Sequence, residues 1–341
     1  MSEAGLQTPN LNFWDPMSQL KRVSHREIEY SKGFLRAQLP QWLPGLAMQW
    51  LTLTHTLGVE VKIISVEPTL SIPNDFDVIF AGKIGQEDIG VGASQEALLT
   101  LAEACIPGAK NIAQGILQEY LARRFLSSVV LAWGGPQIPE FSFQGIRDVS
   151  QMSIAGSVIL RLQINSVQCS VFIFLGSKTI DLLDGMWRRQ IRSAAGQTKS
   201  PGEVHLELAQ LAVKPTSLVD YTRPGTVVDL EIPISDIITL RMKGGGSASA
   251  RLKTSGEFFA FETLASAANN LILPEGTTRL SVELGYYPIE SGYELIELMQ
   301  PGSMLKTDIS VSNTAFLVVN GERVGQAKVC SYEGRFAISV G

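Results

Sequence analysis

The spacing of apolar positions changes character along this chain. Toward the C-terminus it has a period of two: Val282 and Leu284 alternate with polar neighbours, and Phe316-Leu317-Val318-Val319 runs into Asn320-Gly321. Such runs predict short strands, and Asn-Gly predicts a two-residue hairpin because both residues tolerate the positive φ of a type I′ turn. Between them, Glu294–Gly302 carries apolar residues at 295, 296 and 299 with acidic residues among them, which predicts a turn or two of helix ending at Pro301-Gly302. The same order occurs once before, about 77 residues upstream. Val204-His205-Leu206-Glu207-Leu208 opens one copy as Leu280-Ser281-Val282-Glu283-Leu284 opens the other. Each runs to a Pro-Gly (Pro224-Gly225, Pro301-Gly302), an apolar strand, a Gly-containing turn (Gly244–Gly246, Asn320-Gly321) and a closing strand. A unit of roughly 60 residues lies near the lower limit for a self-sufficient core, so each copy needs a partner and the other copy is the nearest one.

Upstream the pattern mixes periods. Glu27–Leu39 and Glu96–Leu126 have helical spacing, the second broken at Pro107-Gly108, and Ser177–Gln190 predicts another helix. Val59–Val66, Asp77–Val91 and Ser157–Phe174 read as strands in hairpin-like pairs, with Leu160–Ile164 alternating cleanly. Small, polar and breaker-rich residues mark two joints, Arg192–Gly202 and Ser266–Thr278. The expected organisation is an α+β domain over 1–191, a linker over 192–202, a first β-rich unit over 203–265, a second joint over 266–278 and a second unit over 279–341.

Composition narrows the classes. A length of 341 residues suggests two or three domains, 45% hydrophobic content is enough for a packed core, and a net charge of −5 without a basic patch argues against nucleic acid. Met1–Asn10 has no charged segment followed by an apolar one, and no run of 18 apolar residues occurs, so a cytoplasmic protein without direct membrane insertion is expected. Cys105, Cys169 and Cys330 are widely spaced, which suits a reducing compartment and ordinary thiols.

No motif calls for a catalytic residue, cofactor or metal. Gly176-Ser177-Lys178-Thr179 follows a strand but lacks the upstream glycine and the Gly-Lys step of a phosphate loop, leaving a strand end and helix start. Ser94 reads as a helix N-cap. His25, His55 and His205 have no second ligand at metal spacing, and His205 is expected on the outward face of its strand because Val204, Leu206 and Leu208 alternate the other way. The pairs Asp181/Asp184 and Glu294/Glu297 read as solvated helix faces, and Phe258, Phe259 and Phe261 as core or inter-repeat packing.

The second copy resembles a SpoA (surface presentation of antigens) domain. The residues that carry the likeness are Val282-Glu283-Leu284-Gly285, Glu294–Leu298, Gln300-Pro301-Gly302, Val318–Ala327 with Gly321 and Gly325, and Gly334-Arg335-Phe336. The first copy departs from it at Lys243–Gly246, and its closing Gly256-Glu257-Phe258-Phe259 is displaced by one residue. Two such domains behind an unrelated N-terminal region are similar to the SctQ family, the C-ring or sorting-platform subunit of bacterial type III secretion systems, related to flagellar FliM and FliN.

That resemblance implies a non-enzymatic scaffold, peripheral at the inner-membrane face of the secretion apparatus, whose two copies exchange strands in an intertwined pseudo-two-fold module. It implies an SctL-type stator protein bound by the SpoA pair, an SctK-type adaptor at the N-terminal region, indirect contact with the SctN-type ATPase, and recruitment of chaperone–substrate complexes. The partner strip carried over from the flagellar relatives falls on Ala327, Lys328, Val329 and Cys330, although Lys328 departs from the apolar pattern and Ala327 and Val329 equally suit the core. Met242 is placed to start a C-terminal fragment of about 100 residues that pairs with itself. The alternatives are a flagellar switch component, against which stands the tandem repeat, and an enzyme using the N-terminal domain.

Overall fold

The structure, a computed structural model, describes residues 11–37, 39–42, 61–108, 114–133, 140–194, 202–242, 246–267 and 271–341. Most of the 192–202 linker, part of the 266–278 joint and the Lys243–Gly245 stretch lie outside the described residues. The chain forms two compact units, one of Lys32–Ile191 and one of Met1–Ser31 with Arg192–Gly341. Among the described residues, 11–31 pack with the second of these units.

That first segment holds Asn12–Phe13 (β1), Pro16–Gln19 (α1) and His25–Tyr30 (α2). Ser24 and Glu27 cap each other reciprocally at the start of α2: the Glu27 amide donates to Ser24 Oγ at 3.2 Å and the Ser24 amide to Glu27 Oε2 at 2.7 Å. The helix expected over Glu27–Leu39 is interrupted. At Gly33 an added Cβ would lie 2.5 Å from Asp184 Oδ1, and the Phe34 amide donates to that same oxygen at 2.8 Å.

The Lys32–Ile191 unit is α+β. It contains Leu39–Trp42 (α3), Val61–Thr69 (β2), Val78–Ile84 (β3), Glu87–Ala93 (β4), Gln95–Cys105 (α4), Gln114–Trp133 (α5), Phe141–Ile146 (β5), Gly156–Ile164 (β6), Val167–Leu175 (β7) and Ser177–Ala194 (α6). The strands form one antiparallel sheet in the order β2-β6-β7-β4-β3-β5. Strand β5 has no counterpart among the expected elements. Phe34, Trp42, Trp133 and Trp187 pack ring against ring, Trp42 and Trp187 with centroids 4.6 Å apart, and Trp133 Nε1 donates to the Trp42 carbonyl at 2.6 Å.

The other unit is built on the duplication. The first copy supplies Gly202–Val213 (β8), Leu218–Thr222 (α7), Val227–Pro233 (β9), Ile237–Met242 (β10), Ser247–Ser255 (β11) and Phe258–Ala267 (β12). The second supplies Thr278–Ile289 (β13), Gly292–Leu298 (α8), Met304–Ser310 (β14), Thr314–Val319 (β15), Glu322–Tyr332 (β16) and Arg335–Val340 (β17). The strands of both copies lie in one sheet ordered β14-β12-β11-β10-β8-β13-β15-β16-β17-β9, with β1 added on β16. Exchanging the copies maps this order onto itself reversed. The opening strands β8 and β13 pair antiparallel at the centre, β9 crosses to β17, and β14 crosses to β12. Each copy therefore finishes the other's edge, the arrangement that two sub-threshold cores require. One apolar cluster spans both copies, including Val204, Leu206, Phe259, Phe261, Val282, Leu317 and Phe336.

Candidate functional site

The repeat-equivalent punctuation residues occupy equivalent places. Gly225 and Gly302, after Pro224 and Pro301, have φ of +83° and +82°, a conformation that costs any side chain but glycine's. Asn320 and Gly321 have φ of +52° and +85°, both positive as a type I′ turn demands. Gly325 lies beside an irregularity in the β15–β16 register, and an added Cβ there would meet Leu317 only at an ordinary 3.5 Å. The closing turns fall at equivalent positions, since Ser255 pairs with Phe258 as Tyr332 pairs with Arg335, and Phe259 and Phe336 remain equivalent. Their backbones differ: Gly256 has a positive φ in the first turn, and both Glu333 and Gly334 do in the second.

The strip Ala327, Lys328, Val329 and Cys330 lies on β16. Ala327 and Val329 belong to the apolar cluster and are 1% and 0% exposed, and Cys330 is fully buried. Only Lys328 is exposed, with its ammonium 5.3 Å from the Phe13 ring centroid. The core-facing alternative is thus the one the packing adopts for Ala327 and Val329, because both project from one face of β16 into the apolar cluster that spans the copies. Met242 ends β10, pairing with Val204, and its amide donates to the Gly246 carbonyl at 2.8 Å.

Charge gathers where the two copies meet. Glu207 and Glu283 face each other across β8 and β13, at an irregularity in the register, and are 1% and 5% exposed. Like charges placed opposite in a ladder repel, so each carboxylate needs its own partner. Arg241 from β10 bonds Glu207, which also accepts from Gln210 Nε2 at 2.5 Å. His205 Nδ1 lies 2.8 Å from Glu283 Oε2. The hydrogen bond to Glu283 holds the His205 pKa above its ordinary value, against the opposing effect of burial, and the Glu203 carboxylate 3.8 Å away adds to it. His205 faces away from Val204 and Leu206 as alternation predicts, yet its side chain is only 17% exposed.

Of these groups, His205, Arg241 and Glu283 line a cleft of about 620 Å³ with Arg279, Ser281 and Asn320 among its walls. Arg241 Nη2 donates to Ser281 Oγ at 3.2 Å, and no hydrogen bond joins Ser281 to His205, so a base-activated hydroxyl is not assembled. Its bonding is that of an ion-pair network tying the copies together.

Elsewhere, Lys178 opens α6 with its amide 3.2 Å from Glu87 Oε2. A carboxylate thus occupies the place a phosphate would take at that helix end. Ser94 caps α4 by accepting from the Ala97 amide at 3.1 Å. Two carboxylates read as solvated are buried: Asp184, 5% exposed, accepts from Phe34, and Glu297 is 3% exposed. Helical spacing identifies a face without telling whether another element covers it. Among the described residues no three His, Cys, Asp or Glu side chains converge as a metal site, and no helix is long and apolar enough to cross a membrane.

No family model and no curated protein matches the chain. Among solved structures it is similar to the FliM middle domain of Vibrio alginolyticus, with a TM-score of 0.31 and 11% identity over 40% of this chain and 91% of that one. It is also similar to FliY of Thermotoga maritima, with a TM-score of 0.34 and 8% identity over 49% of this chain and 98% of that one.

Proposed function

We propose that this chain is a scaffold subunit of the cytoplasmic sorting platform, or C-ring, of a bacterial type III secretion system. In this reading the duplicated unit is a SpoA pair that docks the SctL-type stator protein and through it the SctN-type ATPase. The Lys32–Ile191 unit meets the SctK-type adaptor, and the assembly helps recruit chaperone–substrate complexes. The observation that carries the reading is the exchange of β9 and β14 between copies whose opening strands pair at a pseudo-two-fold axis. A module built this way offers an extended sheet surface for protein partners.

The docking surface in this proposal is the exposed side of β16 around Lys328 rather than the buried Val329, since Val329→Asp would bury a charge in the core. A fragment starting at Met242 would lack β8, β9 and β10, the strands that pair with β13, β17 and β11. Two such fragments joining through their β13 strands would restore the central pair, which is the dimer proposed for it. The direct test is size-exclusion chromatography with light scattering of the full chain co-expressed with the SctL-type protein of the same system. A stable complex of defined mass is expected, and separate elution of two folded proteins overturns the docking assignment.

A further inference from the structure

The first segment of the chain is attached to the duplicated unit at two places that the repeat makes equivalent. Asn12 and Phe13 pair antiparallel with Ser331 and Cys330 of β16, and the Trp14 amide donates to the Val329 carbonyl at 3.1 Å. Further along, Arg22 bridges Thr254 of β11 in parallel. There the Val23 amide donates to the Thr254 carbonyl at 2.8 Å, and the Thr254 amide to the Lys21 carbonyl at 3.0 Å. Thr254 and Ser331 are 77 residues apart, the spacing of the repeat.

Both positions lie just past the point where a neighbouring strand stops. The β10–β11 ladder ends at Ile237↔Arg251, and the β15–β16 ladder ends at Thr314↔Lys328. A last bond then joins Leu252 to Asp236 at 2.6 Å and, 77 residues on, Val329 to Asn313 at 2.6 Å. Beyond it each strand presents main-chain groups that need a partner. One short segment supplies partners to both.

Between the two attachments sits Trp14, 3% exposed. Its ring stacks over Phe259 at 6.3 Å and meets Phe336 edge-on at 5.5 Å, again a pair 77 residues apart. A single tryptophan thus fills the space between repeat-equivalent phenylalanines. Leu20 enters the same cluster, and Ser31 Oγ closes the path by accepting from the Met304 amide at 2.8 Å. The features are those of a peptide held in a groove: short strand additions for the main chain and one deep aromatic anchor.

We propose that the pseudo-two-fold face of the duplicated unit is a segment-binding groove and that residues 12–31 are its tethered ligand, replaceable in trans by an extended, tryptophan-anchored peptide. A two-fold groove offers two equal ends, whereas this ligand pairs antiparallel at one and parallel at the other. The occupant is therefore added to the symmetric fold rather than part of it. Any other peptide of this class must displace the resident one, which the tether holds at a high local concentration. This inference goes beyond the sorting-platform reading, and its failure leaves that reading untouched.

The test uses the full chain carrying Trp14→Ala and a fluorescein-labelled synthetic peptide of residues 11–31, followed by anisotropy. Saturable binding to the variant is expected, with binding to the unaltered chain at least about ten-fold weaker because the tethered copy competes. The peptide bearing Trp14→Ala should bind neither. Equal binding to both chains, or none to a folded variant, overturns the proposal. Should Trp14→Ala not fold, a protease site inserted between Ser31 and Lys32 of the otherwise unaltered chain gives the second measurement. After cleavage the labelled peptide should exchange for the resident segment, and a segment that never exchanges is a permanent part of the core. A dimer formed by reciprocal exchange of the segment in the uncut chain would likewise overturn the assignment of the occupant to the same chain.

Discussion

The amide of Gly302 donates to the carbonyl of Thr263 at 2.7 Å, tying the Pro-Gly turn of the second copy to β12 of the first. Its repeat equivalent is the bond from the Gly225 amide to the Val340 carbonyl at 2.9 Å. Return bonds run from Thr263 to Ser303 and from Val340 to Thr226, each at 2.9 Å. The turns therefore act as hinge points of the exchange: each launches the strand that crosses to the other copy. Because Gly302 has φ +82°, Gly302→Ala should cost about 1–2 kcal/mol in the duplicated unit. Hydrogen exchange should show faster opening of β12 and β14 with the Lys32–Ile191 unit unchanged. Uniform protection across both would mean that the turn does not control the crossing.

The central ion pairs make a second prediction. Arg241→Met leaves the Glu207 carboxylate, 1% exposed, without its cation. Breaking a buried pair from one side costs about 3–5 kcal/mol, and the low end applies because the Arg241 side chain is 24% exposed. Adding Glu207→Gln should restore much of the loss by removing the uncompensated charge. A double-mutant cycle by urea unfolding checks both statements, and additive losses would show the two groups to be independent.

His205 gives the unit a pH dependence of defined sign. Its pKa is raised in the folded chain by the hydrogen bond to Glu283, so the native state binds the proton more tightly than the unfolded one. The stabilisation is complete below the ordinary histidine value, about 6.5, and is lost as pH rises through the raised folded value. The melting temperature of the unaltered chain relative to His205→Gln should therefore be highest near pH 6 and narrow toward pH 9. A difference that is flat over that range would show that the 2.8 Å contact does not depend on charge.

What was legible in the sequence follows the range of the interactions. The Asn320-Gly321 turn, the Ser94 cap, the paired Pro-Gly turns and the alternation around His205 are local. Each is set by backbone conformations or by contacts within a few residues. The duplication was visible because it is written in order along the chain. The partners of the acidic residues were not: Glu207, Asp184 and Glu297 carry the same local signal as solvated carboxylates, and only strands and helices distant in sequence bury them. The membership of residues 12–31 in the C-terminal unit was hidden for the same reason. Two-residue pairings at Ser331 and Thr254 are too short to impose a period. The β16 strip shows the opposite case, where a resemblance suggested a surface and alternation suggested a core; Val329, fully buried, follows the alternation.

The junction at Gly33 supports a last prediction, confined to the Lys32–Ile191 unit. The Phe34 amide donates to Asp184 Oδ1 at 2.8 Å, and Phe34 itself is fully buried against Trp42 and Trp187. The carboxylate also lies 3.7 Å from Arg188 one turn along α6. It approaches so closely that an added Cβ at Gly33 would stand 2.5 Å from Oδ1 and 2.8 Å from the Asp184 carbonyl oxygen, which belongs to helix backbone and cannot give way. Two substitutions then act on one contact by different routes. Asp184→Ala removes this acceptor from the buried Phe34 amide, at about 1–3 kcal/mol. Gly33→Ala keeps the acceptor but forces the 3-10 turn Phe34–Arg36 away from α6, and should weaken the tryptophan cluster as well. Near-ultraviolet circular dichroism separates them: Asp184→Ala should lower stability with the aromatic signal intact, whereas Gly33→Ala should alter that signal in the native state. An unchanged spectrum and melting temperature for Gly33→Ala would mean that α6 does not seat against Phe34 as closely as these distances require.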